Sequence, residues 1–260
     1  MVDDGSTDDT RIICEKHNVQ CLSSPYSMGN GAAIKRGARI ATGEVLVFMD
    51  ADGQHDPADI ARLLEKLEQG YDMVVGARDW GSQAGVGRGV ANTLYNWLAT
   101  RMTGHLVADL TSGFRAARAN RFREFLHLLP NGFSYPTTST MAFFRSAYPV
   151  SYIPIRAAQR IGKSHIKPLR DGMRFLLIIF RIASLYSPLK LFAPCSVLFF
   201  ALGCINYAWT YVHAHRLTNM STLMWSAAVI VFLIGLVSEQ ICMLTYQRAS
   251  QAPGDNAKTD

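Results

Sequence analysis

Glu44-Val45-Leu46-Val47-Phe48-Met49 runs straight into Asp50-Ala51-Asp52-Gly53-Gln54. A short β-branched and aromatic run after Gly43 reads as a buried strand. Its carboxyl end then presents two carboxylates and an amide where open α/β sheets bind ligands. Side chains two apart on an extended chain point the same way, so Asp50 and Asp52 sit close and repel. A divalent cation relieves that repulsion. One or two carboxylates plus substrate phosphates make the usual oxygen shell of Mg²⁺ or Mn²⁺. The plain alternative is a solvated acidic turn capping the helix after Pro57. An isolated D-x-D favours that alternative; placement at a strand end favours the metal.

The flanking sequence alternates. Val2 reads as the end of a strand, and Ser6 or Thr7 as the cap of a helix to about His17, with Asp8 and Asp9 in its first turn. A strand over 19–23, a helix over 30–41, a helix near 58–69 and a strand over 72–76 follow. This order predicts an α/β domain with a largely parallel sheet.

The chain has 260 residues, 49% of them hydrophobic, and a net charge of +6. That length suits one α/β domain and an appendage. Basic residues concentrate between Arg156 and Arg181, which suits an anionic membrane surface or phosphorylated substrates. No interleaving of aromatic and basic residues points to base stacking, so nucleic acid is not an expected partner. The five cysteines form no C-x-x-C pair and read as free thiols.

Residues 191–212 are uncharged, and 223–246 are interrupted only by Glu239. Both runs are long enough to span a bilayer, and both are apolar on all sides, unlike a helix packed in a soluble core. Lys167, Arg170, Arg174, Arg181 and Lys190 precede the first span, whereas the link at 213–222 carries only Arg216. This bias predicts a multi-pass protein of the inner (cytoplasmic) membrane with its α/β domain in the cytoplasm. Glu239 is expected near the cytoplasmic end of its helix, paired with a basic residue or reaching headgroup water. Leu169, Met173, Leu176, Leu177, Phe180, Ile182 and Leu185 give the preceding segment the broad apolar stripe of an interfacial helix. The expected organisation is an α/β domain over 1–167, an amphipathic interfacial helix over 168–188, a two-helix transmembrane hairpin over 189–246 and a disordered cytoplasmic tail over 247–260.

Val2-Asp3-Asp4-Gly5-Ser6-Thr7, Asp50-Ala51-Asp52-Gly53-Gln54-His55, Gly76-Ala77-Arg78, Thr111-Ser112-Gly113-Phe114-Arg115 and Arg160-Ile161-Gly162-Lys163-Ser164-His165-Ile166-Lys167 occur in that order. Over about residues 1–190 the chain resembles the family 2 glycosyltransferases, in the branch of dolichyl-phosphate mannose synthase and bacterial polyprenyl-phosphate sugar transferases. The resemblance implies a GT-A (nucleotide-diphospho-sugar transferase, Rossmann-like) domain. It implies metal-dependent, inverting transfer of a sugar from a UDP- or GDP-linked donor to a membrane polyprenyl phosphate. It also allows self-association.

Carried onto matching positions, the resemblance gives Asp4 to the nucleotide base, Asp50 and Asp52 to the metal and diphosphate, and Gln54 to the metal. Arg78, Arg160 and Lys163 go to the nucleotide-sugar, Arg115 and Lys167 to the acceptor phosphate, and Asp109 to catalysis beside the acceptor. His165 stands where many relatives have lysine. The structural alternative for Asp109 is an ion pair with Arg115 or Arg118. The family pattern begins with a P-x-Y-N-E-like strand and a helix ahead of V-D-D-G-S. On that comparison this sequence lacks the first strand and one wall of the nucleotide pocket, and the inferred function is that of the complete family protein. Two competing readings are a processive polysaccharide synthase, whose Q-x-x-R-W element is absent here, and a non-catalytic membrane-anchored remnant.

Overall fold

The computed structural model describes residues 1–78, 86–132, 134–158, 180 and 186–251. The chain divides into one unit over 1–182 and another over 183–251.

The first unit is built on a four-stranded sheet of β3 (Val45–Phe48), β5 (Arg115–Arg118), β4 (Met73–Arg78) and β6 (Val150–Ile155), in that spatial order. β4 and β6 are parallel, but β5 is antiparallel to both β3 and β4. The sheet is therefore mixed, which corrects the largely parallel expectation. The reason lies in connection geometry: the chain enters β5 from a turn already at the carboxyl ends of β3 and β4, so it has to run back between them. A two-stranded parallel pair, β1 (Val2–Asp3) with β2 (Leu22–Ser23), stands apart from this ladder among the described residues.

β4 contributes Met73, Val74 and Val75, all fully buried. Between β4 and β6 on one side and α3 (Asp59–Glu68) on the other, Leu63, Leu67, Val74, Phe114, Ala116, Ile153 and Ile155 form one core. α3 buries only its Leu63 and Leu67 stripe, the spacing that an amphipathic helix requires. The opposite sheet face packs on α6 (Tyr135–Arg145) and on Phe122 of the preceding short helix, with Phe48 against the rings of Phe122 and Tyr135 at 4.6 and 6.3 Å. At the edge strand β6, Pro154 has no amide to offer a further strand, and its carbonyl accepts from Arg62 at 3.0 Å.

The first helix starts later than the Ser6 or Thr7 cap predicted. α1 spans Thr10–Lys16, with Asp9 before it and no acid in its first turn. Asp3 accepts from the Ser6 amide and Asp8 from the amide and hydroxyl of Thr10. These local bonds hold the chain in turns ahead of the helix. The remaining helices are α2 (Asn30–Ile40), α4 (Val86–Thr103) and α5 (Ala119–Glu124).

The second unit is a hairpin of α7 (Leu189–Ala214) and α8 (Asn219–Gln251). Helix α8 runs on through Gln251, five residues into the segment expected as a disordered tail. Both helices are long and apolar enough to cross a membrane, and only 11% and 17% of their most apolar windows are buried. That exposure separates them from core helices of a soluble fold. The two pack closely because Gly203 has no side chain; a Cβ there would lie 2.6 Å from Trp225 Cδ1. Polar fasteners close the pair: Ser196 Oγ donates to the Ala228 carbonyl, and Asn206 Oδ1 accepts from Thr218 and Ser221. Glu239 takes the Ser187 hydroxyl at 3.0 Å and the Leu189 amide at 3.2 Å, so it caps the start of α7.

Candidate active site

The carboxyl ends of β3, β4 and β6 and the turn entering β5 converge on Asp50. Phe48 pairs with Arg115, Val75 with Arg115, and Arg78 with Ile155. This register brings Asp50, Arg78, Asp109 and the Thr111–Gly113 turn to one end of the sheet.

Asp50 is open at its rim, and no described residue donates a hydrogen bond to its carboxylate. Desolvation first, and the Asp52 charge second, push its pKa upward. Asp52 accepts the Gln54 amide at 3.2 Å. The Gln54 side-chain amide donates to the Ala158 carbonyl, and the Ala158 amide returns a 2.9 Å bond to the Gln54 carbonyl. Gln54 Oε1 remains available. Among the described residues there is no group of three or more His, Cys, Asp and Glu side chains fit to hold a metal. The donor set is two carboxylates and one amide oxygen. It fits a hard cation whose remaining ligands are water or phosphate.

Asp109 differs in every respect. It is buried, and it accepts from Arg78 Nε at 2.8 Å, Arg78 Nη2 at 3.1 Å, and the amides of Arg78, Thr111 and Ser112. The Thr111 hydroxyl adds a further bond. Burial alone would raise its pKa, but the Arg78 bonds and charge with the surrounding amides hold it below the usual carboxylate range. Its partner is Arg78, not Arg115 or Arg118 as the sequence suggested. The Gly76 amide bonds the Phe114 carbonyl, and this alignment sets Arg78 across from the 109–112 turn. A carboxylate with its lone pairs so occupied orients Arg78 and is not poised as a base.

Arg115 also moves out of its expected role. Its guanidinium is completely buried and donates to Pro136 O, Ser139 Oγ, Thr140 Oγ1 and Ser112 O. So enclosed, it presents no exposed donor for the acceptor phosphate expected there. It instead braces the Ser112–Gly113 turn from beneath, and Tyr135 braces it from the side with a 3.0 Å bond to the Gly113 carbonyl. A Cβ at Gly113 would stand 3.1 Å from Asp50 Oδ2, so this turn forms the wall against the acid pair.

His55 stacks on Phe114 at 4.9 Å beside the acids, and its Nδ1 is buried without a hydrogen-bond partner. Desolvation lowers its pKa against the raising charges of Asp50 and Asp52. Asp4 lies at the β1 end, where it accepts from Ser27 Oγ, the Met28 amide and the Gly29 amide at 2.7–2.8 Å. Burial raises its pKa, but those three donors prevail and lower it. Arg160, Lys163 and Lys167 lie outside the described residues, as does most of the expected interfacial helix. Sequence reasoning missed Ser139, Thr140 and Tyr135. The signal was there: a Thr-Thr-Ser-Thr run inside a buried helix needs an internal donor to serve.

The class defined by this sheet and site is a GT-A glycosyltransferase. Residues 1–126 match the Glycosyl transferase family 2 model. Residues 187–244 match the GtrB C-terminal hairpin model. It is 26% identical over 260 residues to glycosyltransferase AglJ of Haloferax volcanii, covering 94% of this chain and 84% of that one. It is 36% identical over 125 residues to the undecaprenyl-phosphate 4-deoxy-4-formamido-L-arabinose transferase of Klebsiella pneumoniae, covering 45% of this chain and 38% of that one. Glucosyl-3-phosphoglycerate synthase from Mycobacterium tuberculosis, solved with Mn²⁺ and UDP-glucose, shares the fold with a TM-score of 0.54. That match has 22% identity and covers 70% of this chain and 66% of that one.

Proposed function

We propose that the protein transfers a sugar from a nucleotide-sugar to a polyprenyl phosphate in the membrane, with inversion and with the aid of a divalent cation. The observation that carries this reading is the contrast at the sheet end: an unsatisfied Asp50 beside Asp52, facing the Gly113 turn, where a Cβ would stand 3.1 Å from Asp50 Oδ2. Asp50, Asp52 and Gln54 would hold Mg²⁺ or Mn²⁺. Such an ion supplies charge neutralisation for a departing diphosphate.

The chain's own residues do the rest. Asp109 fixes Arg78 so that its positive charge sits at the carboxyl end of β4, ready for a phosphate group without a reorganisation cost. Asp4 holds the Ser27–Gly29 corner and faces the nucleoside side. Arg160, Lys163 and Lys167 supply further cations for the two phosphate groups. An acceptor phosphate is already anionic at neutral pH, so no strong base is required. That removes the need for Asp109 to act as one. The Klebsiella relative's name supports a polyprenyl-phosphate acceptor, and the mycobacterial complexes support a nucleotide-sugar donor with Mn²⁺ or Mg²⁺. The basic residues ahead of α7 support a cytoplasmic location for the first unit and the C-terminal tail.

Isothermal calorimetry of the detergent-solubilised chain with MnCl₂, alone and with UDP or GDP, tests the reading. Uptake of Mn²⁺ that strengthens with nucleotide and disappears in Asp52→Ala is expected. Identical heats from both proteins would refute it.

A further inference from the structure

Two surface helices of the first unit present opposite kinds of face to solvent. Helix α3 exposes Arg62, Glu65 and Glu68, the ordinary charged exterior of an amphipathic helix. Helix α4 buries Tyr95, Ala99 and Met102 and turns Leu94, Trp97 and Arg101 outward. Positions 94, 97 and 101 fall on one stripe. Trp97 is 60% exposed and Leu94 40%, and Leu106 just beyond the helix is 77% exposed.

The exposure is built in. Asn96 donates to the Ala108 carbonyl at 2.6 Å and accepts the Leu110 amide at 2.9 Å. Thr100 Oγ1 accepts the Val107 amide, and Thr103 Oγ1 accepts the His105 amide. The chain carrying Leu106 is thus tied to the helix end, and the same ties lead directly into Asp109. Isolated exposed apolar residues are common and need no explanation. A tryptophan and a leucine on one stripe with an arginine at its end, on a fastened scaffold, is the residue set of a membrane interface. From Val86 to Thr103 the helix has no acidic residue, only Arg88 and Arg101, whereas α3 carries Asp59, Glu65 and Glu68 against Arg62 and Lys66 and is net negative. An anionic surface complements α4 and would repel α3.

We infer that the outward face of α4, formed by Leu94, Trp97 and Arg101 with Leu106 beyond it, docks onto the headgroup layer of an anionic bilayer. This rests on the reading of α7 and α8 as membrane spans. Indole rings settle at that depth, and the arginine stem reaches to phosphate. Docking there would fix the height of the Asp109–Arg78 corner over the lipid.

The test uses the full chain in nanodiscs of phosphatidylcholine and phosphatidylglycerol. One variant retains only Trp97 (Trp80→Phe, Trp209→Phe, Trp225→Phe) and another retains only Trp209. Lipids brominated near the headgroup should quench Trp97 emission about twofold, while aqueous iodide leaves it little changed. Quenching of Trp97 by iodide, or by neither agent because a second copy covers it, overturns the inference. Trp209, exposed on α7, is the internal reference. If lipid quenches Trp209 but not Trp97, the α4 inference falls and the hairpin reading stands; if lipid quenches neither, both fall. The drop in lipid quenching between the unaltered chain and Trp97→Phe gives the same readout without substitutions in the hairpin.

Discussion

Asp50 and Asp109 lie at the same end of one sheet and have opposite surroundings. Asp109 is wrapped by Arg78, Thr111 and Ser112 and held ionised. Asp50 receives no hydrogen bond from any described residue, and desolvation and Asp52 push its pKa up. A buried carboxylate that has collected its donors contributes to the fold. One placed beside a second acid and left without donors costs stability until a cation arrives. The two acids look alike in sequence, and they separate only when their donors are counted.

The sharpest way to break this contrast is Asp50→Asn. Transfer activity should fall about 10³-fold, of order 4 kcal/mol of transition-state stabilisation, with the melting temperature unchanged or slightly raised. A variant with near-normal turnover, measured with radiolabelled nucleotide-sugar, would remove Asp50 from the site. Asp109→Asn should do the reverse to stability. It strands the Arg78 guanidinium, and denaturant melts of the first unit's signal should show a loss of roughly 3–5 kcal/mol. Activity should fall with it, through KM more than through the pH profile.

Gly113→Ala sharpens the contrast from the wall between the acids. The added methyl meets Asp50 Oδ2 at 3.1 Å and the Tyr135 hydroxyl at 3.3 Å. Mn²⁺ affinity should weaken about tenfold, near 1.4 kcal/mol, with a smaller loss of stability. Acid titration gives the smallest effect. The folded pKa of Asp109 is depressed, so its contribution is present above the unfolded value of about 3.9 and is lost as pH falls through the folded value. The pH dependence of the melting temperature below about pH 4 should flatten in Asp109→Asn. Asp50 has the opposite sign, because its raised pKa makes ionisation cost stability as pH rises.

Much of this was legible from residue pattern. Val45-Leu46-Val47-Phe48 announces β3, and Leu63 with Leu67 announces the inner stripe of α3. β5 is the counter-example: Arg-Ala-Ala-Arg has no β-branched residue, yet it lies at the centre of the sheet. Small alanines suit a strand squeezed between two neighbours and covered on both faces, so packing outweighs propensity there. Val150-Ser151-Tyr152-Ile153 does carry strand signal, though Pro154 masks it. The partner of Asp109 could not be read at all, because it depends on the β4–β5 register, a long-range property. The buried fate of Arg115 was hidden for the same reason. Three of its acceptors lie 21 to 25 residues away on another element.

Glu239 bears on biogenesis. A carboxylate inside an apolar segment opposes partition into lipid. Here it meets the first amide of α7 and the Ser187 hydroxyl. On the proposed reading of both helices as membrane spans, the two gain by entering the bilayer together, since neither the bare acid nor the uncapped helix start is comfortable alone. On that reading, what looks in isolation like a flaw in a membrane span would favour correct pairing of the two helices.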